Sequence, residues 1–195
     1  MSVASMYGLV AQGVIVAAAL RAVRLALGRA AETPRPAELW LPMLLVLLAP
    51  IDGVSIAGHL RGLWGDPSVV TLGVLAMFVR RRAPAWPHRR LCVLITLLVA
   101  LPLYATLFLP VPMVTWDLYA TGLQPWPLLA AIALAAFMWR RQACGPWTAL
   151  VGVALLAWSA GVMESDNLWD YLVDPGLLLA MAFAGFTGIW TSLHR

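Results

Sequence analysis

The stretch PIDGVSIAGHLRGLWGDP, residues 50–67, gathers Asp52, Ser55, His59, Arg61 and Asp66 inside a chain that is 62% hydrophobic. Three chemistries suit these types. Ser55 and His59 stand at i and i+4, where a helix lets a hydroxyl meet an imidazole. Asp52 or Asp66 would then orient that ring, as in an activated nucleophile. Asp52, His59 and further carboxylates would suit a hard divalent cation, which favours oxygen ligands. Arg61, planar and permanently charged, would hold a phosphate headgroup. The set Asp52, His59, Arg61 and Asp66 is therefore the candidate catalytic site, for a lipid or lipid-linked substrate at the outer face of a membrane.

A second polar concentration is MESDNLWDYLVDP, residues 163–175. Glu164, Asp166, Asp170 and Asp174 alternate with Leu168, Trp169, Tyr171, Leu172 and Val173. The pattern reads as a short interfacial helix with wet carboxylates, or as an acidic wall. A wall of this kind would bind cations, polyamines or a basic protein segment. These four acids are the candidate partner-binding residues.

Other chemistries lack their parts. No G-x-S-x-G elbow, Walker loop or dinucleotide fingerprint occurs, and Cys92 and Cys144 match no metal spacing. Ser55-x-x-x-His59 resembles the alkaline ceramidase and progestin-receptor superfamily of zinc hydrolases. That resemblance implies a His-x-x-x-His pair in the last helix, where this chain has only His194. A retinal Schiff base needs a lysine, and all thirteen basic residues are arginine. The segment PLLAAIALAAFMW has no polar side chain before Arg140, which argues against transport by a monomer. No cofactor and no metal are assigned.

The elements that must position these residues are apolar. Only 11% of residues are charged, against roughly 25% in soluble domains, and the mean hydropathy is +0.85. The expected class is all-α: one polytopic transmembrane domain over residues 1–195. Seven spans account for the pattern, at about 4–27, 39–60, 67–82, 90–109, 125–140, 147–163 and 175–193. They form one helix followed by three helical hairpins. With the N-terminus outside and the C-terminus inside, twelve of the thirteen arginines fall on the cytoplasmic side, Arg61 being the exception. Basic charge thus reports topology here, and nucleic acid is not an expected partner. Tryptophans mark both interfaces, with Trp126 and Trp169 outside and Trp147 inside. Asp66 and Asp174 each precede a proline, as residues that cap a helix do.

Length decides how the opening stretch is read. LWLPMLLVLLAPI, residues 39–51, would form about 20 Å of helix, whereas the hydrocarbon core is about 30 Å thick. The helix is therefore expected to continue past Gly53 with a kink at Pro50. Asp52, Ser55, His59 and Gly62 would then share one face, in a partly dehydrated place. Gly58 and Gly62 would permit close approach of a neighbouring helix.

Arg-rich, Lys-free usage suggests a bacterial inner membrane. Two functions fit: an accessory or assembly subunit whose acidic outer face binds membrane or envelope proteins, or an enzyme using the Asp52–Asp66 set.

Overall fold

The computed structural model describes residues 2–27, 36–79, 97–104, 118–141, 145–179 and 181. The described chain is all-α apart from one two-residue hairpin. It divides into two compact units. Unit 1 comprises Met1–Pro67, Leu72–Ala83 and Val162–Glu164; unit 2 comprises Ser68–Thr71, Pro84–Gly161 and Ser165–Arg195.

In unit 1, helix α1 spans Val3–Ala26, with the Ser2 hydroxyl accepting from the Ser5 amide at its start. Its stretch Val3–Leu25 is long and apolar enough to cross a membrane. Small residues form its buried face: Ala4, Ala11, Ala17 and Ala18 are buried, while Val3, Met6, Val10 and Val23 are exposed. A water-soluble helix does the reverse. Small residues let a neighbouring helix come close where burial of bulk is not what drives association. At Gly13 a Cβ would lie 2.5 Å from Met43 Cγ, so helix α2 (Pro36–Leu48) packs on α1 at that glycine.

The helix expected to run through residue 60 stops at Leu48. The reason is local. Ala49 precedes Pro50, and a residue before proline is pushed out of the helical region, while Pro50 itself has no N–H to continue the ladder. Strand β1 (Pro50–Ile51) then pairs antiparallel with β2 (Val54–Ser55), matching Pro50 with Ser55 and Ile51 with Val54. Asp52 and Gly53 form the two-residue loop with φ of 50° and 80°. Asp-Gly with positive φ at both positions is the preferred type I′ hairpin connection. Helix α3 (Ile56–Trp64) follows, its Ser55 hydroxyl accepting from the Gly58 amide at 3.1 Å. It ends at Gly65, whose φ of 78° favours glycine and whose amide donates to the Arg61 carbonyl. The shared helical face of Asp52, Ser55, His59 and Gly62 therefore does not form.

Helix α4 (Val69–Val79) starts at Ser68, whose hydroxyl accepts from the Thr71 amide at 3.1 Å. The remainder of the expected span to residue 82, and the arginines at 80–82, lie outside the described residues.

Unit 2 holds helix α5 (97–104), a 3-10 turn at Ala120–Leu123, α6 (Pro125–Arg141), α7 (Gly145–Ser159), α8 (Leu168–Leu172) and the start of α9 (175–179). Helix α7 packs against α6 and α8, and the 3-10 turn against both α6 and α8. Among the described residues, Leu168, Tyr171 and Leu177 are fully buried there, at 2% exposure or less. Most of the last expected span, 175–193, lies outside the described residues.

Candidate functional site

Arg61 sits in the last turn of α3, and Asp66 follows the helix end at Gly65. The reversal at Gly65 turns the chain back, so a side chain five residues on reaches the guanidinium. Arg61 Nε and Nη2 donate to Asp66 Oδ1 and Oδ2, each at 2.8 Å. This is a bidentate pair, the strongest geometry for a guanidinium and a carboxylate. The Arg61 and Asp66 side chains are 22% and 10% exposed; a second carboxylate, Glu164 Oε1, lies 2.9 Å from Arg61 Nη2 and is 69% exposed. The hydrogen bonds that Arg61 donates to Asp66 hold the guanidinium pKa above its ordinary value, against a smaller opposing effect of burial.

Helix α1 supplies the floor. A Cβ at Gly8 would lie 2.5 Å from Arg61 Nε and 2.6 Å from Asp66 Oδ1, so the ion pair lies directly on the glycine. Around it, α1 pins the α3–α4 connector by its main chain. The Tyr7 hydroxyl donates to the Pro67 carbonyl at 2.7 Å, and the fully buried Gln12 donates through Nε2 to the Gly65 carbonyl at 3.1 Å. Trp64 Nε1 donates in turn to Gln12 Oε1 at 3.1 Å. Burying an amide is costly unless it is hydrogen-bonded, and here both ends of the Gln12 side chain have a partner. Neither Tyr7 nor Gln12 stood out in the sequence. The available signal was that Gln12 is the one amide side chain in the apolar run Tyr7–Leu20.

The structure joins Arg61 and Asp66 from the candidate catalytic set with Glu164 from the acidic loop, and leaves Asp52 and His59 apart from them. Asp52 is exposed at the hairpin tip. His59 Nε2 lies 3.0 Å from the Ile51 carbonyl, bracing the hairpin against α3. The Ser55 hydroxyl caps α3. Ser55 and His59 thus each bond to main chain, and among the described residues no Ser55–His59 hydrogen bond forms. No group of three or more His, Cys, Asp or Glu is placed to hold a metal among the described residues.

The acidic loop divides by role. Asp170 accepts from the Tyr119 hydroxyl at 2.9 and 2.7 Å and from the Ser165 hydroxyl. Burial, then the hydrogen bond to that carboxylate, push the Tyr119 phenol up to about 12. Asn167, buried, caps α8 by accepting from the Trp169 amide and donates to the Tyr119 carbonyl at 2.8 Å. Its amide occupies the space over Gly122 that a Cβ would need. Trp169 Nε1 reaches the Leu118 carbonyl and the Thr121 hydroxyl, both at 3.1 Å.

Asp174 caps α9 as expected, accepting from the Leu177 amide at 2.7 Å, and its other oxygen takes the Ser68 amide at 2.6 Å. Asp66, the other acid expected to cap, is taken by Arg61, and Ser68 caps α4 in its place. Asp170 and Asp174 are thus committed to internal hydrogen bonds, whereas Glu164 and Asp166 are exposed.

Compared with family models, curated proteins and solved structures, the chain gives no match to any of them.

Proposed function

We propose that this chain is a small multi-pass protein of a bacterial inner membrane, a single transmembrane domain of seven spans with its N-terminus outside and its C-terminus in the cytoplasm. It acts there as an accessory or assembly subunit whose extracytoplasmic face binds other membrane or envelope proteins. Support for the membrane reading is the arginine asymmetry together with the exposed bulk of the helices. Leu44, Leu45 and Leu48 on α2, Leu129 and Phe137 on α6, and Leu156 on α7 are all exposed. Apolar surface on this scale suits lipid and not water.

One observation favours a binding role over catalysis. Arg61, Asp66, His59 and Ser55 are each spent on a structural bond, while Asp166, and Glu164 beside its ion pair with Arg61, keep exposed carboxylates. A general acid or base must be within reach of the proton it moves, and these side chains instead hold a hairpin, a helix end and a connector. Exposed carboxylates at the outer face suit a basic segment of a partner protein, for which charge sets encounter and register.

The test is co-purification of the tagged protein after extraction in mild detergent. A partner should be recovered with the wild type and reduced about tenfold by Glu164→Gln with Asp166→Asn, a change equivalent to about 1.4 kcal/mol. A protein that runs alone, with its cellular function intact in that double variant, overturns the reading.

A further inference from the structure

Unit 2 holds a half-open cavity of about 480 Å³ along the α6–α7 pair. It runs from Trp126, in the first turn of α6, to Trp147 near the start of α7. Ala130, Ala131 and Leu134 of α6, Val151 of α7, and Trp169 and Leu172 of α8 are among its lining residues. Among the described residues, no charged side chain lines it. Of its polar lining, the Thr121 hydroxyl is already engaged with the Leu118 carbonyl and Trp169 Nε1, Thr148 is buried, and Gln124 is exposed.

Three physical facts narrow the occupant. The volume falls within the range of about 300–1,000 Å³ typical of small-ligand sites. Packed interiors hold few voids larger than a water molecule, and water gains little from walls that offer it no partners. The volume of about 480 Å³ is also less than that of two turns of a partner helix, which with its side chains is about 10–12 Å across. An uncharged, flexible apolar group remains. We propose that the cavity binds one hydrocarbon chain of a membrane lipid, with the polar head left near Gln124 and the tryptophan pair Trp126 and Trp169. This rests on the membrane reading above, because a bilayer is what presents such chains to a half-open apolar cleft. It adds a ligand site to a protein proposed as a subunit, and none of the Arg61 cluster takes part.

The direct experiment uses the full-length protein in nanodiscs containing a phosphatidylglycerol with a diazirine in its acyl chain, followed by peptide mapping. Leu156, 71% exposed on α7, reports ordinary contact with surrounding lipid. Labelling of the peptide carrying Ala130 and Ala131 should saturate, and excess unlabelled lipid should reduce it about tenfold, while labelling at Leu156 should rise in proportion to probe. Unlabelled diacyl lipid and polyprenyl phosphate, added separately, distinguish an acyl from an isoprenoid chain by which of them competes. Ala131→Phe, which fills the cleft, should remove the saturable component. Should that variant fail to fold, competition in the wild type still decides. Proportional, unsaturable labelling at both places means surrounding lipid alone; it overturns the site and leaves the membrane reading intact. Absence of labelling at both, Leu156 included, overturns the two together.

Discussion

Arg61 and Asp66 face each other across the Gly65 turn through two 2.8 Å hydrogen bonds, with Gly8 of α1 directly beneath them. The pair fastens the end of α3 to the first helix, and its geometry makes a specific thermodynamic claim. Asp66, at 10% side-chain exposure, should matter far more than Glu164, at 69%. Asp66→Asn should destabilise the protein by about 1–3 kcal/mol, because the guanidinium loses its bidentate acceptor. Glu164→Gln should cost less than about 1 kcal/mol, as exposed ion pairs do. Thermal unfolding in detergent compares the two, and equal losses would falsify the assignment.

Gly8 provides a second, coupled measurement. A Cβ there would come within 2.5 Å of Arg61 Nε, and the bidentate pair keeps that side chain from moving aside. Gly8→Ala should therefore be destabilising in the wild type and much less so when combined with Arg61→Ala. A double-mutant cycle should return a coupling of about 0.5–3 kcal/mol, the range for residues in contact. Simple additivity would mean that the helix and the ion pair do not touch.

The hairpin at Asp52 and Gly53 bears on accessibility. A cysteine in place of Asp52, in a background lacking Cys92 and Cys144, should react with a membrane-impermeant thiol reagent about as fast as one in place of Asp166. Both positions are exposed. Slow reaction at 52 alone would restore the continuous helix first expected from bilayer thickness. Gly53→Val should also destabilise the hairpin, since a φ of 80° is strained for a β-branched residue.

Tyr119 carries a pH signature. Its phenol is held up to about 12 by burial and by the Asp170 hydrogen bond, above the ordinary value near 10. The protonated form is the one the fold favours. Its contribution is complete below about pH 10 and is lost as pH rises toward the folded value. Ultraviolet titration of the wild type against Tyr119→Phe should assign a late-ionising phenol to this residue, and Asp170→Asn should make it ionise earlier. A Tyr119 that titrates with the ordinary tyrosines would separate it from Asp170.

The proposed topology is tested by reporter fusions. Residue 85 and the C-terminus should report from the cytoplasm, and residues 118 and 168 from outside. Both termini on one side would remove the seven-span arrangement.

Features whose cause lies within a few residues are legible in the sequence. Apolar composition made the chain helical, and α1, α6 and α7 begin and end close to where hydropathy put them. The Asp174 cap was legible as an acid before proline, because capping is a contact over three residues. At residues 49–53 the local signals of Ala-Pro and Asp-Gly oppose the continuous helix that bilayer thickness favours. The local signals won, because a proline that cannot donate and a turn that needs positive φ act on the backbone wherever the chain sits.

The partners of the polar groups were set by packing. That Arg61 would take Asp66 and Glu164, that Tyr119 would donate to Asp170, and that Gln12 would hold Gly65 depended on which helix faces came together. The physical reason is that polar side chains confined among apolar helices must be satisfied by whatever group packing brings within 3 Å or so. A sequence shows which groups need partners, and packing chooses among them. That choice left Asp166 exposed and Glu164 exposed beside Arg61, and committed Asp170 and Asp174 to internal hydrogen bonds.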